Sequence, residues 1–429
     1  MERRKFVAAA GLTAASYSRV LGANSRVAMG LIGSGGRGRY VGAFMKQASN
    51  VEFIAVNDVY QKTAEAAKEW AGGKAQVFAD FRRLLEVKEV DAVLVATPDH
   101  WHAIPTIHAC EAGKHVYVEK PLAHNIAEGR AIVNAARRHN RTVLVGTQQR
   151  SATHFPEVAR IIRSGELGQV RYVRVWNFSN MTPNGIGNEP PGPVPEGLDW
   201  DMYCGPAPVV PYRRARFQGS YRWFWDYAGG TITDFGTHRF DTVHQIMGVD
   251  APHTISASGG RFSLNDCGEM PDVMQVTYEY PGFVMSYEAC NMSAHGLGGR
   301  TPGMRYYNAR GDMDRPHGMA FYGANGALFC DRIGYEIYPF QDRIERKTHN
   351  TTDATSLHAQ HFIRCLRDGE KPKTDAETGH RSTNIAHLGN IAYKTGLKLK
   401  WDAAKESFTD APAATKLLRR NARKPWDLV

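Results

Sequence analysis

A glycine-rich segment near the start of the chain carries the first residues whose types and spacing could do chemistry. It follows the pattern G-x-G-x-x-G and consists of Gly33, Ser34, Gly35, Gly36, Arg37 and Gly38. In this pattern the glycines permit a tight turn, a close approach of the backbone to a pyrophosphate, and close packing of a helix on a strand. The helix N-terminus offers free N–H groups to phosphates, and Arg37 adds a charge-assisted contact. The segment predicts a dinucleotide site, and the alternative is an ordinary glycine turn.

A carboxylate lies where such a site requires one. Asp58 comes 20 residues after Gly38, directly behind the apolar run 51–57. A carboxylate at the end of the second strand accepts hydrogen bonds from the adenine-ribose hydroxyls and repels a 2′-phosphate. The pattern therefore predicts NAD as the cofactor rather than NADP. The alternative is an unrelated surface aspartate.

Two stretches that differ in their predicted secondary structure must position these residues. Between residues 24 and 148 short apolar strands alternate with helical segments, which predicts a Rossmann domain with a parallel sheet. Residues 149–400 contain longer β-like runs separated by turns, which predicts an α+β domain with a mainly antiparallel sheet. Residues 181–198, rich in Pro, Gly and Asn, are expected to form a loop over a site. Residues 401–429 are expected to be a C-terminal tail with a solvated basic cluster.

Further motifs resemble the Gfo/Idh/MocA oxidoreductases, the family of glucose–fructose oxidoreductase and inositol dehydrogenase. They are TPDHWH at 97–102, GKHV at 113–116, EKP at 119–121, GG at 229–230 and DFGTH at 234–238. The resemblance extends over nearly the whole chain after the N-terminal segment. It implies a Rossmann domain followed by an α+β domain with a large open, mainly antiparallel sheet. It also implies a homodimer or homotetramer that packs through that sheet.

The resemblance implies three catalytic residues: Lys120, Asp234 and His238. Oxidation of a sugar alcohol needs a base for the hydroxyl proton while a hydride moves to the nicotinamide. His238 is expected to accept the proton because imidazole titrates near neutral pH. Asp234, four positions earlier, is expected to orient His238 or to hold a sugar hydroxyl. Lys120 is expected to polarise the reacting oxygen or to share the proton. The alternatives are a turn at Lys120 and a surface or capping pair at 234 and 238.

The remaining predicted contacts fall into two groups. Residues at the carboxyl ends of the strands are expected to contact the cofactor: Thr97, Pro98, Trp101, His102, Glu119, Lys120 and Gln148. An aromatic segment is expected to contact a sugar ring together with Asp234 and His238: Tyr221, Arg222 and Trp223. Two alternatives stay open, because His102 could instead cap the following helix and the aromatic segment could be buried packing.

Composition excludes several other classes of protein. With 429 residues, 42% of them hydrophobic and 22% charged, the chain has a globular composition, and its net charge of +10 is scattered rather than arranged for nucleic acid. No apolar run is long enough to span a membrane. The six cysteines show no C-x-x-C pair and are expected to be buried thiols. His238, Asp241 and His244 share a helical spacing, but no third histidine follows, so no metal is predicted.

The first 23 residues are expected to be an export signal of the twin-arginine type. Arg3 and Arg4 precede a short Ala-rich apolar stretch, and Gly22 and Ala23 suit a cleavage site. The alternative is a frayed N-terminal helix. Because that route carries folded proteins, the chain would leave with its cofactor bound and act in the periplasm.

These features together predict an NAD-dependent oxidoreductase that acts on a sugar, a sugar derivative or a cyclic polyol and holds its cofactor tightly. An exported cofactor must be recycled on the enzyme, either by reduction of a second substrate or by reversal of the first oxidation. The second route is that of the redox-neutral glycosidases of the same superfamily, which share the Thr-Pro-x-x-Trp-His pattern. The EKP motif at 119–121, in place of their Glu-Val-Pro, favours the oxidoreductase. A third alternative is a non-catalytic sugar- or nucleotide-binding protein.

Overall fold

A computed structural model describes residues 26–309, 311 and 314–428 of the chain. The predicted export signal lies outside the described residues. Two sheets organise the described part, one of six strands and one of ten.

The first sheet is a parallel sheet with the strand order β3-β2-β1-β4-β5-β6. Its strands are β1 Val27–Ile32, β2 Val51–Asn57, β3 Gln76–Phe78, β4 Ala92–Val95, β5 His115–Glu119 and β6 Val143–Gly146. The helices between them are α1 Gly36–Met45, α2 Gln61–Trp70, α3 Phe81–Leu85, α4 Ala103–Glu111 and α5 Ile126–Arg138. Every residue of β1 and β4 is buried, as expected for strands with helices on both faces. The order reverses between β1 and β4, and ligands of such sheets bind at the carboxyl ends beside that reversal.

The second sheet is mainly antiparallel, with the order β14-β13-β12-β11-β7-β10-β9-β8-β15-β16, and only β7 and β10 pair in parallel among its described strands. Its strands are β7 Tyr172–Phe178, β8 Thr254–Gly260, β9 Val273–Tyr280, β10 Phe283–Cys290, β11 His317–Gly323, β12 Gly326–Asp331, β13 Gly334–Pro339, β14 Lys347–Asn350, β15 Leu399–Asp402 and β16 Ser407–Phe408. The predicted fold class, a Rossmann domain plus a domain with a large mainly antiparallel sheet, is confirmed.

The helices of the second half are α6 Phe155–Arg163, α7 Trp200–Cys204, α8 Thr237–Met247, α9 Thr355–Arg367, α10 Ala376–Thr395 and α11 Pro412–Lys416. A π-helical segment, Ile232–Gly236, leads directly into α8. Residues of α6, α8 and α10, including Phe155, Phe240 and Leu388, form one core with the inner face of the second sheet.

Helix α9 completes the core of the first domain although it comes about 200 residues later in the chain. Its side chains Ala359, Phe362 and Ile363 share one buried cluster with Met29 and Leu144 of the parallel sheet. An expected Rossmann domain that ends at residue 148 leaves this helix out. The sequence offered no sign of it, because an amphipathic helix does not reveal which sheet it covers.

The stretch 181–198 is irregular, as expected, and its described contacts reach both domains: the N–H of Ile186 donates to Asp266, and the other end lies beside the parallel sheet. The backbone N–H of Gln61 at the start of α2 donates to the carbonyl of Gly197, and Leu198 pairs with Tyr60 in an isolated bridge. None of its residues lines the main cavity described below. The expectation of a loop over a site stays a prediction.

The expectation of a solvated basic tail is wrong for Arg420, which is partly buried, whereas Lys416, Arg419 and Lys424 are exposed. Arg420 donates from Nε to Glu128 at 2.6 Å and from Nη2 to the carbonyl of His100 at 2.7 Å. The ring of Trp426 lies edge-on to Trp101, with centroids 4.9 Å apart. Residues 417–428 therefore support the segment that follows β4.

All six cysteines are free thiols, four of them buried and two, Cys267 and Cys290, partly exposed. Burial matches the expectation for the four. Within the described part of the chain, no helix has the length and apolar character that a membrane crossing requires.

Candidate active site

A cavity of about 680 Å³ lies at the carboxyl ends of the parallel strands and is closed by the second domain. Most predicted site residues line it: Gly33, Gly35, Gly36, Arg37, Asp58, Thr97, Pro98, Trp101, His102, Glu119, Lys120, Gln148, Tyr221, Arg222, Asp234 and His238. The structure thus brings residues from both halves of the chain to one site. Its volume suits a sizeable organic ligand.

Three predicted residues do not line this cavity. Ser34 is buried, and its hydroxyl donates to the carbonyl of Asn57 at 2.8 Å. Gly38 packs inside the loop, and Trp223 lines a separate, smaller cavity. The first two still shape the site, because they set the conformation of the loop.

The glycine loop is closed on one side and open on the other. Gly33 has φ +79°, and a Cβ there would lie 2.6 Å from the backbone nitrogen of Thr97. A Cβ at Gly38 would lie 2.6 Å from the carbonyl oxygen of Gly33. Gly35 and Gly36 would meet nothing within 4 Å. The loop therefore leaves free space where the backbone of such a loop contacts a pyrophosphate, so these residues fit a dinucleotide.

Asp58 is held beside this loop by backbone groups. Its Oδ2 accepts from the N–H of Ser34 and its Oδ1 from the N–H of Tyr60, both at 2.9 Å. Burial raises the pKa of the carboxyl to about 6, against the opposing effect of these two N–H groups and of Arg39. Asp58 lines the cavity, where its carboxylate can accept hydrogen bonds from the hydroxyls of a ribose.

Arg37 makes a contact that the sequence did not suggest. Its guanidinium forms an ion pair with the Glu119 carboxylate at 2.9 Å, and the Nε2 of Gln148 donates to the same carboxylate at 3.1 Å. Arg37 thus links the glycine loop to the end of β5, and because it also lines the cavity its phosphate contact stays a prediction.

The centre of the site is an ion cluster around Asp234. Lys120 Nζ lies 2.5 Å from Oδ1 of Asp234 and 3.0 Å from its carbonyl oxygen, and Arg222 Nε lies 3.2 Å from Oδ2. Burial alone raises the pKa of a carboxyl, but the two cations outweigh it and hold the pKa of Asp234 well below its ordinary value. Asp234 is thus a fixed negative charge that positions the lysine ammonium.

His238 lies one turn later, at the start of α8, and lines the same cavity. Burial, followed by the charge of Lys120, holds the pKa of its imidazole well below the ordinary value. Its Nδ1 has no hydrogen-bond partner among the described residues. The expectation that Asp234 orients His238 is wrong, because the carboxylate is already shared between Lys120 and Arg222.

The segment after β4 is fixed by side chains rather than by a helix cap. His102 lies with Nδ1 2.6 Å from the carbonyl of Pro121 and Nε2 2.9 Å from the carbonyl of Thr97. Trp101 donates from Nε1 to the carbonyl of Tyr203 at 3.0 Å. The side chain of His102 makes no capping hydrogen bond to α4, so the capping alternative is wrong. His102 ties the β4 loop to the loop that carries Lys120.

Some side chains of the aromatic segment line the cavity, and others are buried in the core. The hydroxyl of Tyr221 donates to Oδ1 of the buried Asp99 at 2.9 Å, and its ring lines the cavity. Phe224 and Tyr227 are buried in a packing cluster, as the alternative proposed. Cavity residues that sequence reasoning missed include Arg39, Tyr203 and Arg332, which carry no motif of their own, and Phe235, which lies inside the DFGTH motif.

The spacing of His238, Asp241 and His244 does not gather them into one site. Asp241 binds Arg150 at 2.8 Å, and His244 Nε2 lies 2.8 Å from the hydroxyl of Tyr280. The described residues contain no group of three or more His, Cys, Asp or Glu side chains placed to hold a metal ion.

A Rossmann sheet whose ligand crevice is closed by an antiparallel-sheet domain defines a two-domain nucleotide-binding protein. Residues 27–147 match the model of an oxidoreductase family with an NAD-binding Rossmann fold, GFO_IDH_MocA. Residues 151–282 and 312–428 match the C-terminal alpha/beta domain of the same family. The chain belongs to the Gfo/Idh/MocA oxidoreductase family, and its first domain is an NAD-binding domain.

Individual relatives are distant. The chain is 25% identical over 250 residues to YrbE, an uncharacterized oxidoreductase of Bacillus subtilis, covering 58% of this chain and 61% of that protein. It is 31% identical over 157 residues to inositol 2-dehydrogenase of Salmonella paratyphi B, covering 36% of this chain and 46% of that protein. The chain thus spans less than two thirds of the length of these relatives. The solved aldose-aldose oxidoreductase of Caulobacter crescentus has the same fold, with a TM-score of 0.63, 17% identity and coverage of 87% of this chain and 99% of that one.

The environment of Asp58 predicts a pH dependence of NAD binding. Only the ionised carboxylate accepts hydrogen bonds from both ribose hydroxyls. Its pKa is raised to about 6, so the ionised form predominates near neutral pH and is lost below that value. We expect the Kd for NAD to rise about tenfold between about pH 7 and about pH 5. Titration of protein fluorescence with NAD measures it. Asp58→Asn, which cannot ionise, is expected to bind more weakly with a flat profile; an unchanged slope in that variant contradicts the assignment.

Proposed function

We propose that the chain is an NAD-dependent oxidoreductase that oxidises a CH–OH group of a sugar, a sugar derivative or a cyclic polyol. One observation carries the proposal: Lys120, Asp234 and His238 line the same cavity as the open glycine loop and Asp58. The inositol 2-dehydrogenase and aldose-aldose oxidoreductase among the relatives and neighbours support this substrate class.

The cofactor fits the part of the cavity that the first domain forms. Gly33, Gly35 and Gly36 hold the pyrophosphate, Asp58 the adenine ribose, and the ends of β4 and β5 the nicotinamide side. Bound NAD⁺ supplies the hydride acceptor for the carbon that is oxidised. Asp58 favours NAD over NADP because its charge repels a 2′-phosphate.

The chain's own residues account for the proton. His238 is neutral at neutral pH because burial and Lys120 disfavour imidazolium, so it can accept the proton of the substrate hydroxyl. Lys120, fixed by Asp234, donates a hydrogen bond to the same oxygen and stabilises the negative charge that develops there. The same groups return the proton when a carbonyl is reduced. Since imidazolium is disfavoured, the proton passes on to solvent rather than staying on His238.

We further propose that the protein is exported with its cofactor bound. Support comes from Arg3, Arg4 and the short apolar stretch that follows them. The test is to produce the full chain with its N-terminal segment, purify it from the periplasm, denature it and identify released nucleotide by mass. We expect close to one NAD or NADH per chain. Protein confined to the cytoplasm contradicts the export proposal, and protein without nucleotide that binds NAD only weakly contradicts the resident cofactor.

Activity assays then separate the possible reactions. Reduction of a second sugar at the expense of a first supports the oxidoreductase with cofactor recycling on the enzyme. Cleavage of a glycoside without net formation of NADH contradicts the oxidoreductase and supports a redox-neutral glycosidase instead. If the protein carries one nucleotide per chain but shows neither reaction with neutral or acidic sugars, the result supports a non-catalytic binding protein.

The proposal includes a homodimer or homotetramer formed through the outer face of the second sheet. Tyr172 of β7 and Val284 of β10 are neighbours in register on that face and are 39% and 37% exposed. Apolar side chains at the middle of an open sheet are the type of surface that oligomers cover. Light scattering gives the mass in solution, and a monomer contradicts this part of the proposal.

A further inference from the structure

A second, smaller cavity adjoins the candidate active site at Asp234. It has a volume of about 200 Å³, and Arg222, Asp234 and Phe235 line both cavities. Its other walls come from the end of β7, the start of β11 and the loop before β11. We call it the side cavity. It is too small for a nucleotide and opens beside the ion cluster that holds Lys120.

Two buried polar side chains of the side cavity have hydrogen-bonding capacity that the protein does not use. Asn177 is 5% exposed, and its Oδ1 has no partner among the described residues. His317 is 6% exposed, and neither of its ring nitrogens is in good hydrogen-bond geometry with a described group, although the backbone of Tyr307 is close enough to favour its protonated form. Buried polar atoms are nearly always paired, so unpaired ones beside an active site indicate a ligand.

The chemistry of these groups defines the ligand. Burial, with Arg239 and Arg332 adding to it and the backbone at Tyr307 opposing it, holds the pKa of His317 well below its ordinary value. A neutral imidazole offers one donor and one acceptor, and the Asn177 amide offers both kinds of group, which together match hydroxyl groups.

The charges of the side cavity also favour an uncharged ligand. Its lining contains one arginine among the described residues, Arg222, and this guanidinium is paired with Asp234 at 3.2 Å. Arg222 and Asp234 are the charged residues of this lining among the described residues and balance each other, which favours a ligand without net charge. Trp223 adds an aromatic wall, and such a surface suits the C–H face of a sugar ring. This is where the structure places the tryptophan that sequence reasoning assigned to substrate.

We propose that the side cavity is a subsite for a neutral, hydroxyl-bearing ring attached to the ring that is oxidised, with Asn177 and His317 as its specificity-determining residues. The inference rests on the proposed function and narrows its substrate class. The preferred substrate is an uncharged glycoside or disaccharide rather than a free monosaccharide or a uronic acid.

The test compares sugars on the full chain loaded with NADH, using calorimetry to measure binding. The probes are glucose, galactose and mannose, each beside a neutral disaccharide that contains it and beside its uronic acid. We expect one disaccharide to bind at least about tenfold more tightly than its monosaccharide and its uronic acid, a gain typical of added hydrogen bonds.

Asn177→Leu and His317→Leu are each expected to reduce that preference about tenfold and to leave monosaccharide binding within about twofold. Because Oδ1 of Asn177 has no partner among the described residues, Asn177→Leu is not expected to melt at a lower temperature. The controls are Asn184→Leu and His253→Leu, at exposed positions away from both cavities. A structural role for Asn177 or His317 would instead lower the melting temperature and weaken both sugars alike.

The outcomes distinguish the two proposals. Equal binding of monosaccharides and disaccharides, or variants that keep the preference, overturns the subsite. Formation of NADH from NAD⁺, measured separately by absorbance, then still supports the proposed function. A disaccharide preference that both variants abolish, in a protein that turns over none of the sugars, supports the subsite and counts against the oxidoreductase.

Discussion

Replacing Lys120 with methionine is expected to lower kcat/KM for the best sugar substrate by about a thousandfold. Methionine keeps the length of the side chain but removes the ammonium that lies 2.5 Å from Asp234. The substrate oxygen then loses its hydrogen-bond donor, and its developing charge loses a cation. The measurement is the initial rate of NADH formation with saturating NAD⁺, together with the affinity for NAD, which is expected to change by less than about threefold.

Lys74→Met is the matched control, since Lys74 is exposed on the loop after α2. Its kinetics are expected to equal those of the parent protein. If Lys120→Met retains full turnover, the catalytic assignment is wrong. If the variant instead loses nucleotide along with activity, Lys120 acts mainly by holding the cofactor side of the site together.

Replacing Arg315 with methionine is expected to reduce the free energy of unfolding by about 3–5 kcal/mol. Arg315 and Glu336 form an ion pair at 2.5 Å, with side chains 2% and 0% exposed. Arg315 also donates to the carbonyl of Gly298 and to the hydroxyl of Tyr338. The substitution leaves the Glu336 carboxylate buried without its guanidinium and releases the loop before β11.

Denaturant unfolding monitored by tryptophan fluorescence measures the loss. The double variant Arg315→Met with Glu336→Gln is expected to recover part of the stability, because it removes the unpaired charge and keeps an acceptor for Thr301 and Tyr306. Arg343→Met, at an exposed position, is the control. A single variant as stable as the parent contradicts this account, as does a double variant less stable than the single one.

The parts of the site that sequence reasoning found are those encoded by local patterns. The glycine loop and Asp58 follow one strand–loop–helix unit and the strand after it, so spacing alone places them together. Lys120, Asp234 and His238 came from a family resemblance, and the structure brings all three to one cavity. Their roles as catalysts stay predictions.

The parts that were missed depend on contacts between distant positions. Lys120 and Asp234 are 114 positions apart, and nothing in either motif shows that the lysine takes the carboxylate away from His238. Asn177 and His317 belong to β7 and β11, which pair directly, with His317 opposite Asn177. The register of these two strands is not visible in the sequence, and the start of β11 lacks the apolar alternation that marks β9 and β10.

The position of α9 in the core of the first domain has a consequence for the order of synthesis. A ribosome releases the six parallel strands long before it releases Phe362 and Ile363, which fill the space beside Met29 and Leu144. The nucleotide-binding half therefore cannot finish packing as a unit while the rest is being made, unlike most N-terminal domains. Its last core side chains arrive together with the segment that supports the β4 loop. Completion of this core therefore comes only near the end of synthesis.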